Sequence, residues 1–382
     1  VALARLLTPA DFGTVALLVL FTAIASALVD GGLSAALIQR QDVDAVDLST
    51  AFWCSVGIGA LAAGVLVLLA PAIADFYDLP ILMPLMRLMA LNIFLGALGA
   101  VHLALLRKRL QFRRQMLIGV VAAIVSGALA ITMALRGFGA WSLAGQIVAT
   151  TSVTTILLWA TGGWWPARAP RRDSLRRLFG FGGYYMAANL LDVAYARLYT
   201  LVIGKFFVPR ELGYYSNADT TVQLPVGFVG GVFGRVVFPM FSAATGDPAV
   251  LRRGKQFAVR GMMLINVPMM LGLAALAGPF VRTVFGERWL PAAPLLSVLC
   301  LAALLTPLHM INIHVLLAHG QSRRLFRIEI VKKALGVTLM LAGARFGLIG
   351  IAWSQVLYSV ASFLLVTRFT GPLVDYGATR QL

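Results

Sequence analysis

Runs of about 20 or more apolar residues recur along the whole chain, and each is long enough to cross a bilayer as a helix. Inside a bilayer every backbone N–H and C=O must find its partner within the protein, which leaves helices and closed barrels. Barrel strands alternate apolar and polar residues, and that alternation is absent here. The fold class is therefore all-α and polytopic. A content of 60% hydrophobic and 12% charged residues over 382 positions agrees with it and argues against a soluble domain. The chain opens on Val1 and shows no charged segment leading into a short apolar core and cleavage site, so no secretory signal peptide is expected.

Eleven spans can be marked, near residues 12–38, 49–74, 81–106, 115–136, 140–160, 178–204, 213–239, 257–280, 292–317, 329–345 and 348–368. The net charge of +17 could point to nucleic acid, but its distribution argues otherwise. Arg107, Lys108, Arg109, Arg113 and Arg114 share one connection, and Arg168, Arg171, Arg172, Arg176 and Arg177 share the next basic one. Arg252, Arg253 and Lys255 share a third, and Arg323, Arg324 and Arg327 a fourth. An even number of spans separates each from the next. All four then lie on one side, which the excess of Lys and Arg makes cytoplasmic. The connections at Asp75–Pro80 and Arg136–Ala140 fall on the outer side.

The chain looks doubled. "TPADFG" at Thr8 returns as "VPRELG" at Val208; in both, a Pro and an acid open a long apolar stretch, which is a helix start signal. "MPLMRLMALNIFLGAL" from Met83 resembles "APLLSVLCLAALLTPL" from Ala293, and "GFGAWSLAGQ" from Gly137 resembles "RFGLIGIAWSQ" from Arg345. The order is kept, which marks internal repetition. A span precedes the second hexapeptide, but only the stub "VALARLL" precedes the first. One helix is thus expected to be missing before Val1, with twelve spans in the complete protein. The expected division is an N-lobe over 1–160, a basic cytoplasmic linker over 161–177, a C-lobe over 178–370 and a cytoplasmic tail over 371–382. Two six-helix lobes related by an axis along the membrane normal suit alternating access around a central site.

No Walker-type phosphate loop, HExxH or His/Cys cluster occurs, and no cofactor or metal is expected. Cys54 and Cys300 sit singly in apolar runs and read as small packing residues. The sequence favours a carrier over an enzyme. In a carrier the polar residues within the bilayer are the functional candidates. Tyr185, Asn189, Asp192 and Tyr199 share one face of the sixth span, while Arg197 lies roughly 140° from Asp192 around that helix. Tyr215, Asp219 and Gln223 share a face of the next span, with Arg235 near its cytoplasmic end. Arg87 lies inside the third span. Glu329 and Lys333 are spaced to pair at i, i+4, which leaves Lys332 for an anionic partner or the lipid headgroups. His102, His309 and His314 lie in apolar spans and read as packed or capping residues. Tyr and Asn suit sugar hydroxyls, and Arg and Lys suit phosphate. Together these favour a lipid-linked, phosphate-bearing saccharide; a cationic drug held by Asp192 or Asp219 stays open.

Six ordered blocks carry a resemblance: "LARLLTPADFG", "DGGLSAALIQRQD", "LSTAFWCSVGIG", "GKFFVPRELGYYS", "GRVVFPMFS" and "VFGERW". They are similar to the polysaccharide exporters of the MOP superfamily, the Wzx-type flippases, most of all the colanic-acid-exporter branch. The resemblance implies a V-shaped, two-lobe carrier in the bacterial inner membrane with cytoplasmic termini. It implies that undecaprenyl-diphosphate-linked oligosaccharide moves to the outer leaflet, with membrane lipids and a polysaccharide polymerase or assembly protein as partners and no nucleic acid. Arg235, in "GRVVFP", is the one candidate that maps by motif. A drug antiporter of the same superfamily is the runner-up.

Overall fold

The computed structural model describes residues 1–30, 32–39, 42–166, 170–243, 248–318 and 321–381. Among them there is no strand. The chain forms two compact units, Val1–Gly213 and Tyr214–Leu382.

The first unit begins with α1 (Ala2–Leu6), α2 (Pro9–Asp30), α3 (Leu33–Gln39) and α4 (Ala45–Phe76). It continues through α5 (Leu82–Lys108), α6 (Phe112–Leu135), α7 (Ala140–Gly162), α8 (Arg172–Ala196) and α9 (Leu198–Phe206). Local chemistry fixes several starts. Thr8 caps α2 reciprocally: its backbone N–H and hydroxyl donate to Asp11 Oδ2 at 2.9 and 2.6 Å, and Asp11 N–H returns a bond to the Thr8 hydroxyl at 3.3 Å. Asp44 caps α4 by accepting from Asp47 N–H at 2.6 Å. Helix α5 is the hub and packs against α2, α3, α4, α6 and α7. Helix α6 shows how a membrane helix chooses its buried face. Ile118, Ala122, Ser126, Ala130 and Ala134 recur every four residues and are buried, a mostly small stripe that lets α7 approach. Large apolar side chains elsewhere face outward, Leu68 at 80% exposure among them. Lipid, not water, is the solvent they suit.

Helix α10 (Pro209–Ala243) runs from the end of the first unit into the second. The crossing of α2 and α10 involves only residues of the first unit. A Cβ on Gly13 would overlap the carbonyl of Pro209, and one on Gly213 would overlap the carbonyl of Pro9. The glycines of the repeated hexapeptide are thus the points at which two backbones touch.

The second unit holds the rest of α10, then α11 (Pro248–Ala275), α12 (Ala277–Val284), a 3₁₀ turn (Glu287–Ala292), α13 (Ala293–Ala303) and α14 (Thr306–Ala318). Helices α15 (Ser322–Ala344), α16 (Gly347–Val374) and α17 (Ala378–Gln381) complete it. Helix α16 packs against α11, α13, α14, α15 and α17. The "VFGERW" block runs from the end of α12 into the 3₁₀ turn: Arg282 pairs with Glu287 at 2.9 Å, and fully buried Trp289 lies edge-on to Tyr214. The repeat is visible in the backbone too. Gly139 and Gly347 hold corresponding places just before or at a helix start, and both take positive φ, +54° and +76°, where glycine is favoured.

Among the described residues four of the eleven spans are interrupted. The first divides into α2 and α3, the sixth at Arg197, the eighth at Leu276 between α11 and α12, and the ninth between α13 and α14. The last break has a clear cause. Pro307 has no N–H to give the carbonyl of Ala303. Fully buried Asn266 of α11 supplies the replacement, its Nδ2 donating to Ala303 O at 3.3 Å and to Leu304 O at 3.1 Å. Asn266→Leu is therefore expected to destabilise the unit by about 1–3 kcal/mol, the cost of orphaned buried acceptors. Pro307→Ala in that background should recover part of the loss by restoring a donor. Thermal unfolding of the detergent-solubilised variants checks both; an unchanged midpoint for Asn266→Leu refutes the assignment.

Candidate functional site

The buried charge of the second unit stands out first. Lys332 is the eleventh residue of α15, about 15 Å along its axis from the N-terminal end. Its side chain is 3% exposed. The ammonium lies 2.6 Å from Glu329 Oε1 one turn earlier and 2.7 Å from His309 Nε2 on α14. As donor to Nε2, it places the imidazole proton on Nδ1. Glu329 is 30% exposed, so the anion of the pair reaches outward while the cation is enclosed.

This departs from the pairing of Glu329 with Lys333 expected at i, i+4. Of the two partners expected for Lys332, an anion or the headgroups, the structure gives the anion, Glu329 itself at i, i+3. The third partner, His309, comes from another helix, which no spacing within α15 can reveal. His309 is thereby more than a packing residue. His102 is one: it is buried, its Nε2 lies 3.2 Å from the Trp164 carbonyl, and its ring sits 4.6 Å from that of Trp159.

The other candidates are spread over the two units. In the first, Asn189 is half-buried on α8, Asp192 is exposed on the same helix, and Tyr199 is half-buried on α9. Arg197 sits at the break between them, its N–H bonded to the carbonyls of Val193 and Ala194. Arg87 is exposed in the second turn of α5. In the second unit Asp219 is half-buried and Gln223 exposed, while Tyr215 on the same face is 3% exposed and hydrogen-bonds Gln355 of α16. The side chains of Tyr185 and Arg235 lie outside the described residues. The basic group Arg252, Arg253 and Lys255 lies on the first turns of α11, with Arg252 2.7 Å from Asp375 and Lys255 fully buried. No group of three or more His, Cys, Asp or Glu placed to hold a metal occurs among the described residues.

Eight helices among the described residues are long and apolar enough to cross a membrane. Solved structures show the fold. An inward-facing multidrug resistance MATE transporter of the MOP superfamily superposes with a TM-score of 0.75 at 16% identity, over 99% of this chain and 95% of the transporter. The lipid II flippase MurJ, inward closed, superposes with a TM-score of 0.74 at 14% identity, over 97% and 83%. The fold is that of the MOP superfamily, a multi-pass helical membrane protein.

Within that class, the chain belongs to the Polysaccharide biosynthesis protein family, whose profile matches residues 2–294. All six blocks that carried the resemblance fall inside that range. Teichuronic acid biosynthesis protein TuaB of Bacillus subtilis strain 168 is 30% identical over 348 residues, 90% of this chain and 72% of TuaB. Lipopolysaccharide biosynthesis protein WzxC of Escherichia coli K12 is 26% identical over 373 residues, 95% and 74% of the two chains. Succinoglycan biosynthesis transport protein ExoT of Rhizobium meliloti strain 1021 is 28% identical over 306 residues, 80% and 62%.

Proposed function

We propose that this protein is a carrier, not an enzyme, that moves undecaprenyl-diphosphate-linked oligosaccharide across the bacterial inner membrane by alternating access, for surface polysaccharide synthesis. The observation that carries the reading is Lys332: a cation whose side chain is 3% exposed inside the second unit, in a chain whose relatives are named for polysaccharide biosynthesis. An enclosed ionised side chain is costly, and in a membrane protein such a residue is kept for work on charge. A diphosphate brings two negative charges into the same low-dielectric region, where an uncompensated anion costs several kcal/mol. Lys332, Arg197 and Arg235 are the cations assigned to meet it, with Arg able to bind phosphate through two parallel hydrogen bonds. Asn189, Tyr185, Tyr199 and Gln223 are assigned to sugar hydroxyls, Asp192 and Asp219 to orienting the cations, and Arg87 to the outer end of the path.

The direct test is transport of lipid-linked oligosaccharide in proteoliposomes, together with restoration of surface polysaccharide in a flippase-null strain. Uptake of an organic cation drug in place of the lipid would assign the protein to the antiporter class instead. Topology gives a second prediction. Cysteines placed at positions 107–114, 168–177 and 323–327, in a Cys54- and Cys300-free background, should resist a membrane-impermeant maleimide added from outside. Cysteines at 75–80 and 282–289 should react. Outside labelling at 168–177 would refute the scheme of cytoplasmic basic connections.

A further inference from the structure

The first unit contains a cavity of about 230 Å³ between α2, α5 and α7. Its polar lining is Ser26 from α2, Asn92 from α5, and Thr150, Thr151, Thr154 and Thr155 from α7. The four threonines come from "TTSVTT", and their spacing puts them on one helical face. Gly96 and Gly99 of α5 make the room. At Gly96 an added Cβ would only touch the Thr151 methyl at 3.8 Å, and anything longer would enter the cavity.

Two of the hydroxyls are already used. Thr150 donates to the Gln146 carbonyl at 2.8 Å and Thr155 to the Leu95 carbonyl at 3.0 Å. That leaves Ser26, Asn92, Thr151 and Thr154 for an occupant. Asn92 Oδ1 is a buried acceptor with no hydrogen-bond partner among the described residues. A buried acceptor without a donor is costly and calls for one. No charged side chain lines the cavity. It therefore fits neither a diphosphate nor the ammonium of a drug. Hydroxyls and a carboxamide both donate and accept, which matches vicinal hydroxyls of a neutral sugar. The volume is below the roughly 300 Å³ at which drug-sized pockets begin, and suits a single ring.

We infer that this cavity is a saccharide subsite, which takes one neutral sugar unit of the lipid-linked oligosaccharide by its hydroxyl groups while cations elsewhere hold the diphosphate. The inference rests on the carrier reading above and divides recognition between charge-free and charged groups. Water occupies a polar cavity of this kind when no sugar is present, and the sugar's hydroxyls replace it.

The test compares two probes on the purified full chain by native mass spectrometry: lipid-linked oligosaccharide extracted from the parent bacterium, and undecaprenyl diphosphate without sugar. The wild type should bind the first more tightly. Thr151→Val with Thr154→Val should weaken the oligosaccharide about tenfold, the loss of two hydrogen bonds, and leave undecaprenyl diphosphate unchanged. Gly96→Leu should do the same by filling the space, and Thr151→Ser with Thr154→Ser should keep wild-type binding. Folded variants that still hold the oligosaccharide like the wild type, or that lose both probes equally, overturn the subsite. A wild type that binds neither probe overturns the carrier reading and the subsite with it. A wild type that binds both probes equally leaves the carrier reading standing and overturns the subsite alone.

Discussion

Gly13→Ala and Gly213→Ala are each expected to destabilise the folded chain by about 3 kcal/mol, at the top of the range for overpacking. The reason is which atoms the methyl would meet. At both positions the nearest atom is a backbone carbonyl oxygen, of Pro209 for Gly13 and of Pro9 for Gly213. A side chain can turn away from an added methyl, but the first turn of a helix cannot. Each substitution must therefore part α2 from α10. Once they are parted, the second methyl meets little, so the double variant should cost clearly less than the sum of the singles. Gly57→Ala, Gly64→Ala and Gly119→Ala are the controls: a Cβ there meets nothing within 4 Å, and alanine favours a helix over glycine. Thermal midpoints and membrane levels of the five single variants and the double decide the matter. Strict additivity, or controls that fall as far as Gly13→Ala, would refute the crossing.

That crossing shows where the sequence stops being informative. The helix starts at Pro9 and Pro209 were legible, because Pro and an acid in the first turn act locally. The glycine at the end of each hexapeptide could be seen to repeat, but nothing local says that the two copies meet. The same limit explains the broken spans. Pro307 lies inside the ninth apolar run and removes one backbone donor, a local cause that hydropathy alone does not register. The break becomes tolerable only because Asn266 lies on a helix some forty residues away in sequence. The break at Arg197 has neither Pro nor Gly beside it, and no local signal foretold it. In the candidate site, the shared face of Asn189 and Asp192 is a matter of periodicity, whereas Tyr199 lies beyond the break at Arg197, on α9, and leaves that face. Which of them is exposed is a matter of packing against the helices that α8 and α9 touch, α2 among them. Lys332 illustrates both cases: its charge in an apolar run was legible, and its partner on α14 was not.

Lys332→Met is expected to abolish export while the protein still reaches the membrane. Methionine keeps the length and removes the charge. It leaves His309 Nε2 without a donor and Glu329 without its cation, which for a fully buried pair costs about 3–5 kcal/mol. Glu329 is 30% exposed and can turn to solvent or headgroups, so the loss of stability should fall below that range. The second variant separates structure from work. Adding Glu329→Gln removes the unpaired anion, so the double variant should regain most of the lost stability. If Lys332 serves only as a buried pair, the double variant should also regain export. If its charge meets the diphosphate during transport, export should stay lost although the fold is restored. Arg197→Ala and Arg235→Ala should likewise lose export, and Arg→Lys at either should restore it only in part, since lysine keeps the charge but not the planar fork. Surface polysaccharide in a flippase-null strain, set against membrane level and thermal midpoint for each variant, supplies both axes. Normal export from Lys332→Met with Glu329→Gln would reduce the triad to a packing device and remove Lys332 from the path of the diphosphate.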